Sequence, residues 1–119
     1  MAIRKTIEID GNPVEFKASA LTPYLYRDMF ARDFLIDMQK VTSEVDGQNP
    51  NASMISAEAL RVFADAAYVM YLQAHPDEKY ENADEWLDQF SMFSIYQVLP
   101  QIMTLWNLNT ETTVPAGKN

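Results

Sequence analysis

The chain has 119 residues, a formal charge of −8, one histidine and no cysteine. That length suits one domain able to bury roughly two-thirds of its unfolded surface, so folding needs no metal or disulfide. The missing cysteine excludes disulfides, thiolate nucleophiles and thiolate metal sites, and fits a reducing cytoplasm. The acidity disfavours nucleic-acid binding by phosphate neutralisation and attachment to anionic membranes.

The opening, MAIRKTIEIDG, alternates too early for a signal peptide, because no apolar run follows Arg4 and Lys5. Residues 3–18 instead predict a β-hairpin. Ile3, Ile7 and Ile9 share one face with Lys5, and Val14, Phe16 and Ala18 share a face of the second strand. Asp10-Gly11-Asn12-Pro13 supplies the turn, and Pro13, which cannot donate to a ladder, belongs at a strand start or edge.

Thr22 as N-cap and Pro23 at the first helical position predict a helix over about 23–45. It carries two apolar stripes. Leu25, Met29 and Ile36 fall in one arc, while Phe30, Phe34, Met38 and Val41 fall nearly opposite. Asp28 and Arg32 form an acid-first i,i+4 pair on the flank. A helix apolar on two faces is sandwiched inside a domain or offers one face to a partner. Phe30, Phe34, Met38 and Val41 are the candidate partner-binding residues, covered at least partly by another chain, either a second copy or a different protein.

Residues 46–55 read as a polar linker. A central core helix follows over 57–74, with Ser56 as N-cap and a polar stripe of Glu58, Arg61, Asp65 and Gln73. Asp65 is read there as a solvated acid sharing the stripe with Arg61. This segment holds the longest apolar run, 62–72, which Asp65 interrupts and which is too short to span a bilayer. Asn82-Ala83-Asp84-Glu85 resembles a capping box that starts a short helix over 83–90. A last helix runs over 94–106, with a kink or break near residues 98–99 caused by Pro100. Residues 1–109 form the single domain, and 110–119 a disordered tail. The fold class is therefore mainly α with a minor β part, a hairpin followed by four to five helices in a compact bundle.

Catalytic chemistry is not visible. His75 stands alone at a helix end, a place where positive charge is favoured and where a capping or surface role suffices. Asp77, Glu78 and Glu81 lack the glycine and alternation of a calcium loop, and Gly11, Gly47 and Gly117 are too scattered for a phosphate loop. No constellation places an acid, base or nucleophile together. No cofactor, metal site or enzymatic activity is expected. Seven methionines suit core filling or an adaptable binding surface.

Four segments carry a resemblance. They are the hairpin RKTIEIDGNPVEFKAS, Leu25-Tyr26-Arg27-Asp28-Met29-Phe30, Asp84-Glu85-Trp86-Leu87-Asp88-Gln89-Phe90 and Leu105-Trp106-Asn107-Leu108-Asn109. In this order they resemble the tail assembly chaperones of long-tailed bacteriophages and prophages of Gram-positive bacteria. The resemblance implies a non-enzymatic helical protein in the cytoplasm of the bacterial host, absent from the finished virion. It would bind the tape measure protein and keep it soluble while the tail tube polymerises. It also implies a longer, frameshifted form whose extension contacts the tail tube protein. Ala116-Gly117-Lys118-Asn119 can be encoded by a slippery heptamer, so residues 116–119 are the expected junction. An acidic phage-encoded inhibitor or adaptor that binds a basic host protein is the alternative.

Overall fold

The computed structural model describes residues 2–47, 56–92, 94, 97, 98 and 100–105. Strand β1 (Ile3–Ile9) pairs antiparallel with β2 (Asn12–Ala18), with Ile7 opposite Val14 and Ile9 opposite Asn12. That register leaves Asp10 and Gly11 as a two-residue loop. Both take positive φ, 54° and 82°, as a type I′ turn requires. A side chain at Gly11 would meet nothing within 4 Å, so backbone conformation alone favours glycine there. The alternation puts Ile7, Ile9, Phe16 and Ala18 in the core.

Five helices follow among the described residues: α1 (Leu21–Phe30), α2 (Phe34–Gly47), α3 (Ala57–Ala74), α4 (Ala83–Leu87) and α5, helical at 94, 97, 98 and 100–105. The predicted class, a hairpin followed by helices, is the observed one. Helix α3 is the hub, touching β2, α1, α2 and α4. Ser56 caps it as predicted, its hydroxyl accepting from Ala59 N–H at 3.0 Å. Phe63, Ala66, Ala67, Val69 and Met70 are buried along it. Trp86 from α4 packs edge-on to Phe16 and tilted against Tyr68 and Tyr71, so an aromatic layer joins hairpin, α3 and α4.

Several boundaries differ from the sequence reading. The helix expected over 23–45 is two helices, broken at Ala31, which takes φ 58° and ψ 34° and donates its N–H to Arg27 O at 2.8 Å. Thr22 is not the N-cap. It lies inside α1, where its hydroxyl accepts from Ser19 N–H at 2.9 Å and donates to Gln73 on α3. The helix expected over 83–90 stops at Leu87. Only half of its capping box forms: Asn82 accepts from Glu85 N–H at 2.9 Å, but the Glu85 carboxylate accepts from Glu81 N–H, one residue before the cap.

Residues 46 and 47, expected in the linker, extend α2, and 48–55 lie outside the described residues. So do Leu99, one of the two residues at which the kink is expected, the end of the last helix at 106, and the tail with its expected junction at 116–119. Val98 and Pro100 on either side of Leu99 are both helical.

The hairpin loop also anchors the start of α5. Asp10 accepts from the Ser91 and Ser94 hydroxyls at 2.6 and 2.7 Å and from Ser91 N–H at 2.9 Å. The Ser91 hydroxyl, then the Ser94 hydroxyl, then the Ser91 amide hold the Asp10 carboxyl below its ordinary value of 3.8. A depressed folded-state pKa contributes stability above the unfolded pKa and loses it as pH falls through the folded one. Wild type is therefore expected to melt above Asp10→Asn near neutrality, with the gap closing below about pH 4. Asparagine tolerates the positive φ, which isolates the charge. Melting temperature against pH for both proteins reads this, and a gap independent of pH would refute it.

Candidate functional site

The break between α1 and α2 is built around Arg32. Its guanidinium donates to Asp37 at 2.9 Å, to Asp65 of α3 at 2.6 Å and to the Tyr26 hydroxyl at 2.8 Å. Tyr26 O–H in turn donates to Asp37 at 2.8 Å. Arg32 also lies over the Tyr26 and Phe30 rings, 5.4 and 5.3 Å from their centroids. Burial opposes the Arg32 charge, but its bonds to Tyr26 and Asp65 outweigh burial and hold the group protonated. Burial chiefly pushes the Tyr26 hydroxyl well above its ordinary value, so the phenol stays neutral.

Asp65 is therefore not on a solvated stripe. It is 1% exposed and paired with Arg32, while its other oxygen lies 3.5 Å from Arg61 Nε, within ion-pair range but outside hydrogen-bond geometry. Arg61 reaches on to Asp84 at 2.6 Å. The Asp28–Arg32 helical pair predicted from spacing does not form, because Arg32 lies past the break and turns inward.

Turning the chain at Ala31 decides which face of α2 is inside. Met38 and Val41 are fully buried and Phe34 nearly so, in one core with Phe63 and Tyr26. Phe30 is half-buried against the same core. Phe34, Met38 and Val41 are thus internal packing beneath the corner, while Phe30, half-buried, also lines a recess with Met29, Tyr68, Leu72 and Tyr80. The physical reason is the break itself, which folds α2 back so that its inner face meets α3.

The apolar groups left in water are others. Tyr24 is 71% exposed, Leu35 52% and Ile36 56%, with Leu21 half-exposed. Tyr24 and Leu35 flank a shallow groove of about 440 Å³ whose lining includes Pro23, Arg27, Asp33 and Phe34. Phe34 is the one predicted partner-binding residue that lines this groove. Sequence reasoning missed Tyr24 and Leu35. Their signal was available only by treating α1 and α2 as separate wheels.

Other polar groups make contacts within the fold. His75 stacks on Tyr71, and its Nε2 lies 3.0 Å from the Glu15 carbonyl, tying α3 to β2. In that contact Nε2 is the donor, since a carbonyl only accepts. Glu78 accepts from the Tyr71 and Tyr80 hydroxyls at 2.6 and 2.8 Å, and these bonds, Tyr71 first, lower its pKa. Among the described residues no group of three His, Asp or Glu side chains is placed to hold a metal ion. Among them, no helix is long and apolar enough to cross a membrane. No family model, curated protein or solved structure matches this chain.

Proposed function

We propose that this protein is a tail assembly chaperone of a long-tailed phage or prophage, a binding protein that holds the tape measure protein soluble while the tail tube forms. The observation that carries the reading is an apolar groove and its exposed flanks, Tyr24 and Leu35, on a protein of charge −8. A chaperone for an amphipathic helix needs an apolar seat and an acidic surround that keeps the unloaded protein in solution. The order of packing motifs, from the hairpin through residues 25–30 and 84–90 to residues 105–109, supports the same reading. On this proposal the protein acts in the host cytoplasm, leaves before the virion is complete and has no catalytic step. A frameshifted form, slipping at residues 116–119, brings in the tail tube protein; codons there without a slippery heptamer would remove that part.

Co-expression with the tape measure protein of the same genome tests the proposal. The tape measure protein is expected to move from the pellet to the soluble fraction and to co-purify. A tape measure protein that stays insoluble, or is equally soluble alone, would overturn the proposal.

A further inference from the structure

The hairpin is a two-stranded sheet, and its two edges differ. The two-residue loop makes Ile9 and Asn12 a pair that exchanges both backbone bonds, so β1 bonds β2 through Ile3, Lys5, Ile7 and Ile9. The N–H and C=O groups of Arg4, Thr6 and Glu8 then point away from β2. On β2 the outward groups belong to Pro13, Glu15 and Lys17. The Glu15 carbonyl shows this directly, since it accepts from His75 Nε2 at 3.0 Å, outside the ladder.

The β2 edge is largely closed. Pro13 has no N–H to offer, and the Glu15 carbonyl is taken. The β1 edge is open. Arg4, Thr6 and Glu8 are exposed, and among the described residues none of their outward backbone groups has a hydrogen-bond partner. Gln97 and Gln101 of α5 approach Glu8 only across an open recess. An open strand edge is a template for another strand.

Charge selects that strand. On its outer face β1 reads Arg4, Thr6, Glu8, a pattern complementary to its own reverse. An antiparallel second copy centred on Thr6 sets Arg4 opposite the partner's Glu8, Thr6 opposite the partner's Thr6, and Glu8 opposite the partner's Arg4. All three outward residues then meet outward residues, so each pair can exchange both backbone bonds. Opposite charges and paired threonines directly across a ladder are favourable. Parallel in-register pairing would set Arg4 beside Arg4, and sliding the strands by two residues separates both charge pairs. Arg4 bonds Glu15 at 2.9 Å through one guanidinium nitrogen and keeps other donors free for a second carboxylate. The strand is also locally less acidic than the chain, carrying Arg4, Lys5 and Glu8 within a protein of charge −8.

We propose that β1 is a self-association edge, pairing antiparallel with β1 of a second copy about Thr6 and joining two hairpins into one four-stranded sheet. Lys5 lies on the opposite face, across from the partner's Ile7, and gains no charge partner there, so the pairing is weak and reversible. Neither the corner groove nor the chaperone reading enters this contact.

Sedimentation equilibrium on the full-length protein and on charge-reversed variants tests this. Wild type is expected to show a concentration-dependent monomer–dimer equilibrium. Arg4→Glu alone sets carboxylates against carboxylates at both ends of the pairing, and Glu8→Arg sets cations against cations, so each is expected to weaken the dimer at least about tenfold. Mixing the two single variants restores opposite charges at both ends and should recover the dimer, as should both changes in one chain. Glu8→Arg is the cleaner arm, because Arg4→Glu also loses the contact with Glu15. Amide hydrogen exchange reads the register. Lys5, Ile7 and Ile9 should be protected at every concentration, and Arg4, Thr6 and Glu8 only in the dimer. A wild type still monomeric at about 1 mM, a mixture no tighter than the single variants, or a dimer that leaves the Arg4, Thr6 and Glu8 amides unprotected overturns the proposal. If the tape measure protein protects those amides while the wild type stays monomeric, the edge belongs to that partner and self-pairing is wrong.

Discussion

Replacing Arg32 with alanine is expected to cost about 3–5 kcal/mol of folding free energy, although much of the side chain reaches water. The cost comes from the groups left behind. Asp65 and Asp37 are 1% and 6% exposed, and Arg32 is their shared guanidinium. Without it, Asp65 keeps only Arg61 at 3.5 Å, and Asp37 keeps the Tyr26 hydroxyl. Such a loss is a large share of the roughly 5–15 kcal/mol that holds a domain together. Arg32→Lys should recover part of it by restoring charge without the fork that spans both carboxylates. Arg32→Ala combined with Asp65→Asn should be less damaged than Arg32→Ala alone, since the buried charge goes with its partner. Urea denaturation at neutral pH measures all three. A loss below about 1 kcal/mol for Arg32→Ala would mean that the network behaves as a surface ion pair.

The same residue explains where the sequence was readable and where it was not. The hairpin was legible because period-2 alternation and Asp10-Gly11 are local signals that point the same way. Helix α3 was legible to the residue because Ser56 and Pro76 bracket a helical pattern of apolar residues with one polar stripe. The break at Ala31 was not legible. No glycine or proline marks it, and alanine is the best helix former. The left-handed turn at Ala31 costs on the order of 1–3 kcal/mol. Contacts distant in sequence offset that cost: Arg32 with Asp65, and Phe34, Met38 and Val41 in one core with Phe63. One mistaken helix then moved the candidate site. On a continuous wheel the residues Phe30, Phe34, Met38 and Val41 look like a free face. With the corner in place Phe34, Met38 and Val41 are core and Phe30 is half-buried against it, and Tyr24 and Leu35 are the exposed apolar groups at the groove. Asp65 was misplaced for the same reason, since its principal partner lies 33 residues earlier at that unmarked corner.

Phe34 and Leu35 are neighbours in α2 and make the sharpest test of which face does what. Phe34→Asp is expected to unfold the protein, at a cost of at least about 5 kcal/mol, because it removes a buried ring and buries a carboxylate without a partner. The Phe34 ring stacks edge-on to Tyr26 at 5.1 Å and is 4% exposed, so water cannot rescue the charge without opening the corner. Leu35→Asp removes a half-exposed side chain in the first turn of α2, where the helix dipole favours an acid. Its stability should stay within about 1 kcal/mol of wild type. Its binding should not. If the groove between Tyr24 and Leu35 seats an apolar helix face, a carboxylate there replaces an apolar contact with a solvated charge, and co-purification of the tape measure protein should fall at least tenfold. Circular dichroism and the pull-down together give the answer. A folded Phe34→Asp would place the Phe34 stripe outside the core and return it as the candidate surface. A folded Leu35→Asp that still retains its partner would leave the corner groove without a role in binding.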